Sequence, residues 1–109
     1  MSYAIKSGDT VGTTITASDT LVYTATTGRT SIVFAGTVVN TSSNSEHNVS
    51  LKIHRNIGGG DQWILLDVPI LYGGTLLLPK MVLNSQDTIY MKGDTSGVFT
   101  ANFSVVELY

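Results

Sequence analysis

Two histidines, His47 and His54, stand seven residues apart, and a shared metal ion is the first chemistry they invite. Seven is an odd spacing, so on a strand the two rings project from opposite faces and cannot hold one ion together. With no cysteine in the chain, a third ligand would have to be Asp61, Asp67 or Glu46. The simpler reading is two exposed strand histidines. The run Gly58-Gly59-Gly60-Asp61 lacks the Lys-Ser or Lys-Thr of a phosphate loop and opens no helix. It reads as a hairpin tip, with Gly58, Gly59 and Gly60 as a candidate contact loop. The eight acidic residues are scattered singly over turns and offer no facing pair for glycoside hydrolysis. Asp94-Thr95-Ser96-Gly97 and Asp9-Thr10 lack the regularly spaced oxygens of a calcium loop and read as turn chemistry. No serine sits in a Gly-x-Ser-x-Gly elbow, and neither histidine has a sequence neighbour that would orient it as a base. The expectation is a protein without catalytic residues, metal or cofactor.

Aromatic residues supply another chemistry. Trp63, Tyr23, Tyr72, Tyr90 and Tyr109 could stack against sugar rings, which makes a carbohydrate-binding module one reading. Trp63, however, opens the apolar run Ile64-Leu65-Leu66 and reads first as packing, whereas Tyr90, between inward Ile89 and Met91, is the better exposed ring.

The chain that must position these residues has 109 of them, enough for one domain, with six basic against eight acidic side chains. That is too little positive charge to release counterions from a phosphate backbone, so nucleic acid is not an expected ligand. Ser and Thr number 26 and Gly 11, while the apolar set reaches 42%, a β composition rather than a helical one. The stretch Trp63 to Leu83 is long enough for a membrane span but contains Asp67, Pro69, Gly73-Gly74, Pro79 and Lys80, which would leave broken backbone in lipid. Met1 to Asp9 has no charged region leading into an apolar run, so synthesis in a cytoplasm is expected. The sequons at Asn40, Asn48 and Asn102 are then chance products of a Ser/Thr-rich chain.

Turn clusters recur at short intervals, and between them lie runs rich in Val, Ile, Thr and aromatics, the pattern of an all-β antiparallel β-sandwich, jelly-roll-like, with about eight strands. The expected strands are Val11–Ala17, Leu21–Ala25, Thr30–Asn40, Asn48–Asn56, Trp63–Val68, Thr75–Leu78, Thr88–Lys92 and Val98–Leu108. Val49, Leu51 and Ile53 alternate with Ser50, Lys52 and His54, so one face of that strand is core. Phe99, Ala101, Phe103 and Val105 share a face, after which the phase shifts at Val106 and Leu108, as a bulge, a twist or a partner would cause. In Ile32 to Val39 both faces are apolar, which with Trp63–Leu83 predicts surface buried by a neighbouring chain. The expected interface residues are Tyr3, Ile5, Val33, Val39, Trp63, Ile70, Leu71, Tyr72 and Leu77. Residues 1–9 are expected to form a short N-terminal arm, through which Tyr3 and Ile5 add to a neighbour's edge or to an edge of the same subunit, and 10–109 a single sandwich domain.

Several phrases, Arg29-Thr30-Ser31-Ile32-Val33, Val39-Asn40-Thr41-Ser42, Val49-Ser50-Leu51-Lys52-Ile53, Gly73-Gly74-Thr75-Leu76 and Asp87-Thr88-Ile89-Tyr90, resemble a group of small virion proteins of tailed bacteriophages. The likeness runs from about Leu21 to the C-terminus. It departs from the group at Thr26-Thr27-Gly28-Arg29, where the relatives carry a proline before Gly-Lys. Proteins resembling this are β-sandwich or jelly-roll subunits that serve as capsid cement (decoration) proteins, often homotrimers, or as pieces of neck, tail or fibre. The resemblance implies a structural protein of the virion, with itself and the major capsid protein as partners.

Overall fold

The computed structural model describes residues 5–108, with side chains from Thr14 onward. Among the described residues there is no helix, and nine strands form: β1 (Ile5–Ile15), β2 (Thr20–Thr24), β3 (Thr30–Asn40), β4 (His47–His54), β5 (Asp61–Ile70), β6 (Thr75–Leu77), β7 (Met81–Leu83), β8 (Thr88–Gly93) and β9 (Phe99–Leu108). They make two antiparallel sheets, one ordered β1-β9-β3-β6 with β7 also on β3, the other β2-β8-β4-β5. β6 and β7 both pair with β3, at Thr37–Val39 and Ser31–Val33, and are separated by Leu78-Pro79-Lys80. Counted as one interrupted strand they bring the total to the eight of a jelly roll, in its strand order. The proline explains the interruption, since it has no N–H to offer the ladder.

The core lies between the sheets, where the inward positions of β9 (Phe99, Ala101, Phe103, Val105) meet Val49, Leu51 and Ile53 of β4 and Ile89 and Met91 of β8, all buried. At the strand ends, buried Asn40 and Asp87 fix the loops. Buried Asn40 donates its amide hydrogens to the carbonyls of Ile70 (2.8 Å) and Ser45 (3.0 Å) and accepts from Ser42 N (2.9 Å), tying the end of β3 to the β5–β6 turn. Its amide is committed inside the protein and offers no acceptor site for a glycan. No buried side-chain nitrogen or oxygen among the described residues lacks a partner.

The phase of β3 differs from the expected two-sided burial. A register shift between Val33 and Ala35 opposite β9 places Phe34 at a bulge. Ser31 and Val33 point into the core before it and Val38 and Asn40 after it, while Phe34 and Ala35 face solvent. Close packing resumes at Gly36, where a Cβ would come within 2.8 Å of the Phe103 Cβ. The bulge is therefore on β3, and β9 keeps its alternation through Val105. The first strand begins at Ile5 rather than Val11 and pairs with β9 of the same chain, with Ser7 opposite Glu107 and Asp9 opposite Val105. Residues 5–9 thus belong to an edge strand of the five-stranded sheet, whereas Tyr3 lies outside the described residues.

Candidate functional site

Two outer faces carry the side chains of interest. On the four-stranded sheet, cross-strand register sets Leu21 of β2, Tyr90 of β8, Lys52 of β4 and Trp63 of β5 in one row: Leu21 is opposite Tyr90, Tyr90 opposite Lys52, and Lys52 opposite Trp63. Lys52 is the centre of the row because the inward Leu51 and Ile53 force it outward. Its Nζ lies 5.3 Å from the Trp63 ring centroid and 5.9 Å from that of Tyr90, within cation–π range of both. Nζ also reaches Asp19 Oδ2 at 3.0 Å, from the turn before β2, and Asp61 Oδ2 at 3.2 Å, at the start of β5. His54 donates from Nδ1 to Asp61 Oδ1 at 2.7 Å. That bond fixes the ring and leaves Nε2 free to accept when the imidazole is neutral. The hydrogen bond to Asp19, then that to Asp61, holds the Lys52 ammonium above its ordinary pKa. The bonds from His54 and then Lys52 hold the Asp61 carboxyl below the usual range. Asp19, Lys52, His54, Asp61 and Tyr90, with Gly59, line an open cleft of about 430 Å³.

The second imidazole is similarly held. His47 donates from Nδ1 to Asp94 Oδ1 at 2.8 Å, and the other carboxylate oxygen accepts from Asn48 N at 2.8 Å. Burial alone would push the Asp94 carboxyl up, but the amide of Asn48 and the ring of His47 more than offset it and leave it below the ordinary value. Both carboxylate oxygens of Asp94 are thus engaged within the chain itself. The two histidines do lie on opposite sides of β4, as their odd spacing requires. Sequence reasoning found no partner for either, because Asp94 is 47 residues from His47 and sheet pairing alone unites them. The partner of His54, seven residues away at Asp61, could have been found by pairing β4 with β5 across the glycine tip. Among the described residues no group of three His, Cys, Asp or Glu is placed to hold a metal ion.

The second face is the outside of the five-stranded sheet. Leu77 pairs with Thr37, and Val82 with Ile32, both outward positions of β3, and Phe34 stands at the bulge between them. Leu77 is 75% exposed, Phe34 53% and Val82 48%, with half-buried Ile32 and Val106 alongside. Of the expected interface residues, Leu77 lies in this patch, Leu71 and Tyr72 are exposed in the β5–β6 turn, and Trp63 is 47% exposed on the opposite sheet. Val39 is half-buried. Val33 and Ile70 are corrections: both are buried in the core, Val33 because the bulge falls after it and Ile70 because it closes the end of β5 opposite His47, so no partner reaches them. Ile5 stands opposite Leu108 in the β1–β9 ladder. Gly58, Gly59 and Gly60 form the exposed loop beside the cleft, the first two at φ of 89° and 65°, a conformation that favours glycine. The aromatic platform read from the sequence is divided. Tyr23 is half-buried, edge-on to Phe103 at 6.2 Å with its hydroxyl 3.1 Å from Ser31 Oγ, Tyr109 lies outside the described residues, and Trp63 shares the outer row with Tyr90. Trp63 is thus more exposed than its apolar neighbours suggested, because a register shift in β5 follows it.

No family model matches the sequence, and no curated protein does. Solved structures share the fold. A chain from the disulfide-linked pili of Bacillus endospore appendages superposes with a TM-score of 0.58 at 13% identity, over 98% of this chain and 87% of that one. A chain of the T13 particle of infectious bursal disease virus gives 0.56 at 10% identity, over 94% of this chain and 30% of that one. A chain of the Gx strain of the same virus gives 0.55 at 12%, over 97% and 32%. The present chain therefore spans about a third of each of those viral chains. At such identities the likeness shows a shared fold and nothing more.

Proposed function

We propose that this chain is a non-enzymatic structural protein of a tailed-phage virion, a cement or decoration subunit that associates with itself and binds the outer surface of the capsid. The observation that carries the reading is the apolar outer face of the five-stranded sheet, where Leu77, Phe34 and Val82 lie open in a protein of low charge. Covering such a patch removes apolar surface from water at roughly 25 cal/mol per Å². A trimer on the capsid would bury it between copies and add the same contact at every site of the shell. The virion-protein phrases in the sequence and the fold shared with chains from a virus particle and from a pilus support an assembling role. The disulfide linkage of that pilus cannot be made by a chain without cysteine.

Electron microscopy of particles from the producing cells, labelled with an antibody to this chain, is expected to decorate the capsid shell. Label at the neck, tail or fibre would replace the cement role with a structural role there, and unlabelled particles would contradict the virion reading.

The start of β1 enters the same proposal. Among the described residues β1 pairs with β9 alone, and its other edge is where a strand from a neighbouring subunit or the capsid would add. Deleting residues 2–7 is expected to leave a folded protein that no longer binds particles. Unfolding would mean that the segment serves only its own subunit, and unchanged folding and binding would remove it from the account.

A further inference from the structure

We propose that the cleft on the outer face of the four-stranded sheet binds a neutral saccharide, with Tyr90 as its stacking surface and Trp63 extending the platform beyond Lys52. A sheet face without a second layer over it is ordinarily polar, yet here two aromatic rings and Leu21 lie in a single row across four adjacent strands. Adjacent strands are about 4.8 Å apart, which puts the rings roughly 10 Å from each other with the ammonium between them. An aromatic face suits the C–H face of a pyranose ring, and the polar groups around it suit the hydroxyls.

The carboxylates of Asp19 and Asp61 and the Nε2 of His54 accept hydrogen bonds, and the Lys52 ammonium donates them. Both carboxylates are already fixed on Lys52, and Asp61 also on His54, so the acceptors are ordered before a ligand arrives. The cleft volume of about 430 Å³ falls in the range of small-ligand sites. Gly59 on its border adds no side chain to obstruct entry. Charge selects the class: one ammonium against two carboxylates leaves an excess of negative charge, which repels sialic and uronic acids and leaves neutral sugars. This face belongs to the opposite sheet from Leu77, so saccharide binding and self-association stand or fall separately.

Trp63 is the only tryptophan, so its emission reports on this face alone. The purified full chain would be titrated with glucose, galactose, mannose, N-acetylglucosamine and their di- and trisaccharides, with sialyllactose as the acidic control, by fluorescence and by saturation-transfer NMR. At least one neutral sugar is expected to give a saturable response in both. Tyr90→Ala and Asp61→Asn are each expected to weaken it by about tenfold or more, the loss of one good contact. Trp63→Ala, followed by NMR, is expected to weaken the longer sugars more than the monosaccharide. Circular dichroism confirms that each variant is folded. Silence across the neutral panel in both readouts overturns the proposal, as does binding that folded Tyr90→Ala and Asp61→Asn variants retain unchanged. Preference for sialyllactose overturns the neutral class.

Discussion

Alanine at Phe99 is expected to cost about 4 kcal/mol of folding stability, near the centre of the range for deleting a buried phenylalanine ring. Phe99 starts β9 with no exposed surface, flanked in its own sheet by Ile15 and Asn40. Its ring crosses to the other sheet, where a Cβ on Gly93 would fall 2.9 Å from the ring's Cδ2, and it meets the His47 imidazole edge-on at 6.3 Å. The ring is thus a pin between the sheets at one end of the sandwich, and backbone on both sides prevents collapse into the space it would leave. A domain of this size has a net stability of about 5–15 kcal/mol, so the variant should unfold at a much lower urea midpoint with an unchanged slope. A cost below about 1 kcal/mol, the scale of a surface change, would show that the ring does not join the sheets.

Asp87→Ala is expected to cost about 2 kcal/mol, because it removes the buried carboxylate of a partly exposed ion pair and takes the acceptor from two backbone amides at once. The Asp87 side chain is buried in the turn before β8. Its Oδ2 accepts from Arg55 at 2.7 Å and from Asn84 N at 2.9 Å, and its Oδ1 accepts from Asn56 N at 2.9 Å. One carboxylate therefore joins the β7–β8 turn to the end of β4. Burial by itself would raise the Asp87 pKa, but the amide of Asn56, the Arg55 guanidinium and the amide of Asn84 together bring it below the ordinary 3.8. A carboxyl whose pKa is lower folded than unfolded stabilises the fold above the unfolded value and ceases to do so as pH falls through the folded one. Asp61 and Asp94 are depressed in the same direction. The thermal midpoint should hold from neutrality to about pH 5 and decline below about pH 4, with a shallower decline in Asp87→Ala. An equally steep acid decline in that variant would contradict the assignment.

The sandwich was legible in the sequence because its strands advertise one wet face: the alternation of Val49, Leu51 and Ile53, and of Phe99 through Val105, is what the structure buries. Thr30–Asn40 was placed to the residue. β7 was missed because Met81-Val82-Leu83 is a three-residue fragment between Pro79 and the Asn84 turn, too short for periodicity to register. The burial of Val33 against the exposure of Phe34 was hidden for another reason: a bulge changes the phase of a strand without changing its composition. At the cleft, the outward phase of Tyr90 and Lys52 is readable from their buried neighbours, but the Tyr90 ring is half-buried rather than exposed. Their convergence with Asp19 and Trp63 depends on which strands adjoin in the four-stranded sheet, and the order β2-β8-β4-β5 is not the order of the chain.

A face of the five-stranded sheet that joins copies of this chain must show in sedimentation equilibrium. At about 50 µM, a concentration at which specific interfaces are occupied, the wild-type protein is predicted to sediment as a trimer of the 11.6 kDa chain. Leu77→Asp, which places a charge at the most exposed leucine of the face without touching the core, is predicted to sediment as a folded monomer. A clean wild-type monomer, or an oligomer that Leu77→Asp leaves intact, would contradict the account.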